Sequence, residues 1–321
     1  MGGSFGALGG EISGIINNPG GLGIYRNSEF TISTAISTIS TENQFRNNQI
    51  SNSWTKFNIP NFGYVSSYNG NQNGWKKYSI AFGHNRIANF QNSQRIRGNS
   101  ADGSSFIDPY VFELNQNQAT IEDVINYASP YTFGPSQAFN TFAIDYDTTT
   151  GQYVRWLNFQ DNIAQERSFE TEGRQTETFI AFGGNFQERL FIGASLGIQS
   201  IRYDSEQVWS EKYSYDTPPV PGFDDILSYR EISNLRTRGT GVNFKLGLIY
   251  KLNNAVRVGG SIHSPTYFGM SEEYIMDSQS SFSNGDVIQT ELIQSNYDYQ
   301  FRTPWKFQTS IAYIYGSTLL F

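Results

Sequence analysis

The sequence predicts an all-β fold, an antiparallel transmembrane β-barrel that is incomplete, with about nine strands. Three observations lead there. Apolar residues alternate with Gly, Ser, Thr, Asn and Gln over many short stretches, the period of a strand with two unlike faces. Aromatics reach 16% of the 321 residues while charged residues also stop at 16%, so the second face is polar without being charged. Short links alternate with long ones, the asymmetry that outer-membrane barrels show between periplasmic turns and outer loops.

The first 27 residues, MGGSFGALGGEISGIINNPGGLGIYRN, are glycine-dense and nearly uncharged, and nothing in them alternates for long. Their centre, Asn17-Asn18-Pro19-Gly20-Gly21, is a strong turn signal. Residues 1–27 therefore read as a compact plug in front of a barrel at 28–321. Residues 28–40 set Phe30, Ile32 and Ile36 in alternation with polar neighbours. Segment 54–68 carries Phe57, Ile59, Tyr64 and Val65, and 75–84 sets Tyr78, Ile80 and Phe82 against Ser79, Ala81 and Gly83. Residues 189–202 are the clearest case, with Leu190, Ile192, Ala194, Leu196 and Ile198 facing Gly193, Ser195, Gly197 and Gln199 across the pleat. Residues 242–250, 255–263 and 297–315 repeat the pattern. Aromatics such as Trp54, Tyr68, Trp75, Tyr250, Trp305 and Tyr313 gather toward strand ends, as interfacial girdles do.

Long outer loops are expected at about 85–165 and 204–228. In the first, Thr120-Ile121-Glu122-Asp123 resembles a capping box, with Ile121, Val124, Ile125 and Ala128 at helical spacing and an end near Pro130. Ile121, Val124 and Ile125, beside Phe133, Phe139 and Phe142, are candidate contacts for a hydrophobic ligand. A loop folded down on itself is the plainer alternative.

Several function classes are disfavoured. The net charge is −7 with no basic run, which argues against nucleic acid. The chain has no cysteine, so disulfides, thiolate catalysis and zinc–cysteine sites are absent. No stretch approaches the roughly 18 apolar residues of a membrane-spanning helix, which leaves closed barrels untouched. A signal peptide is absent from the given chain. Gly193-Ala194-Ser195-Leu196-Gly197 matches a nucleophile motif, yet alternation runs straight through Ser195, where that chemistry needs a strand, a sharp turn and a helix. His84 and His263 read as isolated strand-end residues, and Asp224-Asp225 and Glu272-Glu273 as solvated loop charge. No enzyme, cofactor or metal is expected. On composition and periodicity a secreted β-sandwich or surface adhesin remains the alternative.

The N-terminal stretch also carries a resemblance. Gly2, Gly3, Phe5, Ala7, Leu8, Ser13, Asn18, Pro19, Gly21 and Leu22 are similar to the plug of the outer-membrane long-chain fatty-acid transporter family (FadL-type), which includes aromatic-hydrocarbon uptake channels; Gly20 stands where alanine is usual. Thr303-Pro304-Trp305-Lys306, running into Ser310, Ala312 and Tyr313, resembles a second motif of that family. The resemblance implies a monomeric barrel of about fourteen strands in a Gram-negative outer membrane, inserted by the barrel-assembly machinery and surrounded by outer-membrane lipid. It implies passive uptake of hydrophobic compounds, with the N-terminal hatch closing the lumen and Asn18, Pro19, Gly20 and Gly21 as its gating turn. About nine strands is too few and odd, and the chain stops at Gly316-Ser317-Thr318-Leu319-Leu320-Phe321, so a fragment lacking roughly a third of the barrel is expected, with an open sheet. A general diffusion porin is the other membrane alternative.

Overall fold

The computed structural model describes residues 6–70, 73–100, 102–155, 163–214, 224–315 and 319–320. Gly2, Gly3 and Phe5 of the plug motif, and the closing Gly316-Ser317-Thr318 turn with Phe321, lie outside the described residues.

In chain order the strands are β1 (Glu29–Phe45), β2 (Asn48–Asn69), β3 (Trp75–Asn89) and β4 (Asn92–Ser100). Helices α1 (Asp108–Gln116), α2 (Ile121–Ile125) and α3 (Pro135–Asn140) follow, then a small hairpin, β5 (Ile144–Asp147) and β6 (Gln152–Arg155). The remaining strands are β7 (Ile163–Phe186), β8 (Leu190–Tyr213), β9 (Ile226–Lys251), β10 (Val256–His263), β11 (Tyr267–Phe282), β12 (Val287–Gln289), β13 (Ile293–Arg302), β14 (Lys306–Tyr315) and β15 (Leu319–Leu320).

All pairings are antiparallel, and the main path runs β1-β2-β3-β7-β8-β9-β10-β14-β15. Several strands share a lane. β3 and β4 both pair β7, β10 and β11 both pair β9, and β13 and β14 continue beside them. The result is a curled half-barrel sheet, all-β in class. Among the described residues β1 pairs only with β2, so the sheet does not close.

The two faces are inverted relative to a soluble protein. Along β8 and β9, Leu196 and Leu246 are 47% and 45% exposed, while Ser195 and Lys245, on the opposite face, are 2% and 3% exposed. A half-buried soluble sheet hides its large apolar side chains and wets its polar ones. Here Phe82, Phe182, Ile192, Phe244 and Leu248 lie open on one face, and no second sheet packs against them among the described residues. The face covered by residues 6–25 carries Gly, Ser, Ala, Asn and a few charges. The sandwich alternative, with an apolar interior between two sheets, is not what forms.

Several boundaries differ from those expected. The loop placed at 204–228 is strand up to Tyr213 and again from Ile226, and β7 and β11 join the strands recognised from alternation. Away from the exposed apolar band both faces of β8 and β9 are polar (Asp204, Ser205, Glu206, Gln207), so the period-2 signal disappears while the ladder continues in unbroken register. In β7 the cause is opposite: Phe179-Ile180-Ala181-Phe182 is apolar on both faces, since Phe179 packs on the space left by Gly83. The 85–165 insertion is likewise shortened by β3, β4 and the start of β7. Glu272 and Glu273 sit within β11, not in a loop.

What remains of that insertion folds as a cap at the far end of the long strands. Ile107, Leu114, Val124, Ala138, Ile144 and Tyr153 form its core with Ile226, Tyr229 and Phe282 of the strands. Thr120 caps α2 by accepting from the Asp123 N–H at 3.1 Å, as the sequence suggests. The helix ends at Ile125, well short of Pro130. Its Ile121 and Ile125 stay 41% and 48% exposed, because only Val124 points into the core.

Candidate functional site

The candidate site is where residues 6–25 meet the covered face of the sheet. Two 3-10 turns, Ser13–Ile16 and Pro19–Ile24, fold this segment. Asn18 starts the second turn in an extended conformation, and its Oδ1 accepts from the Gly20 N–H at 2.9 Å. Pro19, at the first helical position, has no N–H to leave unsatisfied there. The Asn18 side chain also donates, to the Gly6 carbonyl at 2.6 Å and to the Leu248 carbonyl of β9 at 3.0 Å. One buried amide thus closes the turn, ties it to the start of the segment and fastens it to the sheet. Ile12, Ile15, Leu22 and Tyr25 bury against Val65, Ala81, Phe179 and Ala181.

The sheet beneath is shaped for backbone contact. Ser67, Ser79, Gly183, Gly193, Gly247 and Ser261 stand directly opposite one another on successive lanes. The Asn18–Gly23 turn lies across this row. A Cβ at Gly193 would overlap the Pro19 carbonyl, and one at Gly247 would overlap the Asn18 side chain and approach the Gly20 N–H to 2.9 Å. At Gly183 it would come within 2.8 Å of the Leu22 Cβ. Glycine in a strand interior costs roughly 0.5–1 kcal/mol relative to alanine, so this row weakens the sheet locally.

One strand supplies much of the polar hold. Arg257 of β10 donates through Nη1 to the Leu8 carbonyl at 3.0 Å, and Ser261 donates to the Asn17 carbonyl at 2.7 Å. His263 Nε2 lies 2.8 Å from the same carbonyl, which can only accept, so Nε2 carries the proton. Directly opposite His263 on the neighbouring strand, Lys245 of β9 pairs with the Glu177 carboxylate of β7, both side chains almost fully buried. Gln199 and Asn243 donate to the same carboxylate at 2.7 and 3.3 Å. Gly197 leaves the room this cluster occupies.

Asn18, Pro19, Gly20 and Gly21 thus lie together, buried, at the centre of the contact. The loop candidates scatter. Val124 is in the cap core, Phe139 stands edge-on to Tyr153, and Phe133 edge-on to Tyr274. Phe142, like Ile121 and Ile125, is on the cap surface. Ser195 lies mid-strand in β8, without the turn and helix that a nucleophile elbow requires. His84 stacks on Phe62 and meets Thr178 at 2.8 Å, and His263 holds the terminal segment, so neither is isolated. Sequence reasoning missed Gly183, Gly193, Gly247, Ser261 and Arg257 as site residues. The available signal was a glycine inside each of three apolar strands, which marks a close backbone approach.

No family model, curated protein or solved structure matches the chain. On the opposite face of the same sheet region lies an open apolar groove of about 710 Å³, lined by Trp75, Tyr78, Phe182, Ile192, Leu246 and Leu248.

Proposed function

We propose that this chain is part of an outer-membrane passive channel for hydrophobic compounds, such as long-chain fatty acids or aromatic hydrocarbons. In this reading the terminal segment is the gate. The observation that carries it is the inversion of the sheet: large apolar side chains face outward, and a small-residue, polar face is covered by the chain's own N-terminal segment. A sheet that meets lipid on one side and a lumen on the other calls for that arrangement. The exposed run Val242, Phe244, Leu246, Leu248 and Tyr250 fits as well. At about 3.4 Å per residue it is roughly 27 Å long, close to the apolar band of such barrels once tilted. A general diffusion porin would leave the covered face open, whereas here residues 6–25 occupy it.

No bound nucleotide or ion is needed, since movement down a gradient suffices. The hydrophobic ligand would be gathered at the cap, where Ile121, Ile125 and Phe142 lie exposed beside the half-buried Phe133 and Phe139, whereas Val124 is taken up by the cap's own core. Asn18, Pro19, Gly20 and Gly21 would form the turn that shifts. The test is uptake of a long-chain fatty acid or an alkylbenzene by cells making the full-length protein, compared with the Asn18→Ala/Pro19→Ala form and with empty cells. Uptake above empty cells, changed in the double variant with assembly intact, is the expected result. Uptake equal to empty cells would sink the reading, and unchanged uptake in the variant would make the turn merely structural.

A further inference from the structure

The row Gly183, Gly193, Gly247 is unusual in its alignment. Each glycine is the direct ladder partner of the next, on three adjacent strands, with Ser79 and Ser261 closing the row at either side. Glycine weakens a strand interior, and three abreast concentrate that weakness in one place. What fills the space is the turn itself, backbone and short side-chain atoms together: the Pro19 carbonyl over Gly193, the Asn18 side-chain amide and Gly20 N–H over Gly247, and Leu22 with Gly23 over Gly183.

We propose that Gly183, Gly193 and Gly247 are positioning residues, a steric seat that sets how firmly residues 18–23 are held and therefore how readily the terminal segment leaves the sheet. The proposal deepens the reading of that segment as a gate and rests on it for its functional meaning. The fit works by shape. Hydrogen bonds from Asn18, Ser261, His263 and Arg257 add direction, but each would lengthen or break if a single methyl group lifted the turn. The segment is therefore held by an all-or-none contact, since a packed interface does not deform smoothly.

The chain contains no cysteine, so one introduced thiol reports alone. Ala7 lies in the segment and is buried. The experiment places Ala7→Cys in the full chain in detergent micelles and follows its labelling by a small water-soluble maleimide. Gly193→Ala and Gly247→Ala should raise the labelling rate roughly tenfold or more, Gly183→Ala less. Gly269→Ala, on β11 with nothing near its would-be Cβ, should leave the rate unchanged. Equal rates in all four overturn the proposal. If Gly247→Ala fails to assemble, combining it with Asn18→Gly removes the facing amide. Assembly regained supports a clash with the segment, and assembly still lost overturns the seat. Hydrophobic uptake measured on the same variants separates the two ideas: faster labelling with unchanged uptake keeps the seat and removes the gate.

Discussion

Glu177 and Lys245 lie 68 residues apart in sequence and meet where water is excluded, with Gln199 and Asn243 completing the carboxylate's hydrogen bonds. Removing one partner of such a pair leaves a buried, uncompensated charge. Lys245→Met is expected to cost about 3–5 kcal/mol, whereas Lys245→Met with Glu177→Leu recovers most of it. Urea unfolding of the protein in micelles checks this, and equal losses in the single and double variants would show the pair to be unimportant. The contrast with Asn18 explains what sequence can reveal at this scale. Asn18 announces itself because its partners in the turn, Gly20 and Pro19, are its neighbours in the chain. The Glu177 cluster draws on β7, β8 and β9, and no local spacing encodes it.

At the scale of elements, strands were legible where an apolar face alternates with a polar one and illegible where both faces became alike, as in the halves of β8 and β9 nearest the cap. The cap that crowns those halves is fastened by two buried carboxylates. Glu211 accepts from the Phe106 N–H at 2.9 Å, from Gln165 at 2.7 Å and from the Ser105 and Tyr213 hydroxyls. Glu231 accepts from Tyr110 and Tyr229 at 3.0 and 3.3 Å. Burial pushes the Glu231 carboxyl from 4.5 up to about 7, against the opposing pull of the two phenol hydrogen bonds. A raised folded value favours the protonated form, so this contribution is complete below about pH 4.5 and is lost as pH rises through about 7. The upper bound of that loss is about 3 kcal/mol. Protease cleavage within residues 108–155 should therefore accelerate between pH 4.5 and 7, and Glu231→Gln should flatten the dependence. An identical pH profile in that variant would assign the effect elsewhere. The helical spacing around Ile121 was visible in sequence, but which of its apolar residues became core depended on the docking of α2 beside α3, and only Val124 was chosen.

For the molecule as a whole, the exposed apolar band separates the membrane reading from a soluble one. Leu196 projects from the middle of that band on β8. On a water-facing surface Leu196→Arg would change stability by no more than about 0.5 kcal/mol. Facing the bilayer interior it should cost about 2–4 kcal/mol. The folded fraction after reconstitution into lipid vesicles, judged by heat-dependent mobility, distinguishes the two. Full recovery of the arginine variant would count against a lipid-facing sheet. All-β character was plain from alternation, and so was the presence of a separate turn-centred segment at the start. The inversion was foreshadowed by the paucity of Lys and Glu opposite the apolar residues, which a water-facing surface would need.

The glycine row leaves the wall of the sheet a single peptide layer thick, and Trp75 sits just outside it. Its ring packs over Gly184, whose carbonyl on the other side meets Gly23 of the terminal segment. A fluorophore on the outer surface is thereby separated from the inner turn by one residue. Trp75 is a built-in optical window: with the other tryptophans replaced by phenylalanine, its emission should shift when Gly193→Ala or Gly247→Ala lifts the turn, and stay constant with Gly269→Ala. The segment's departure could then be timed without any label, from the side of the wall where the segment never goes.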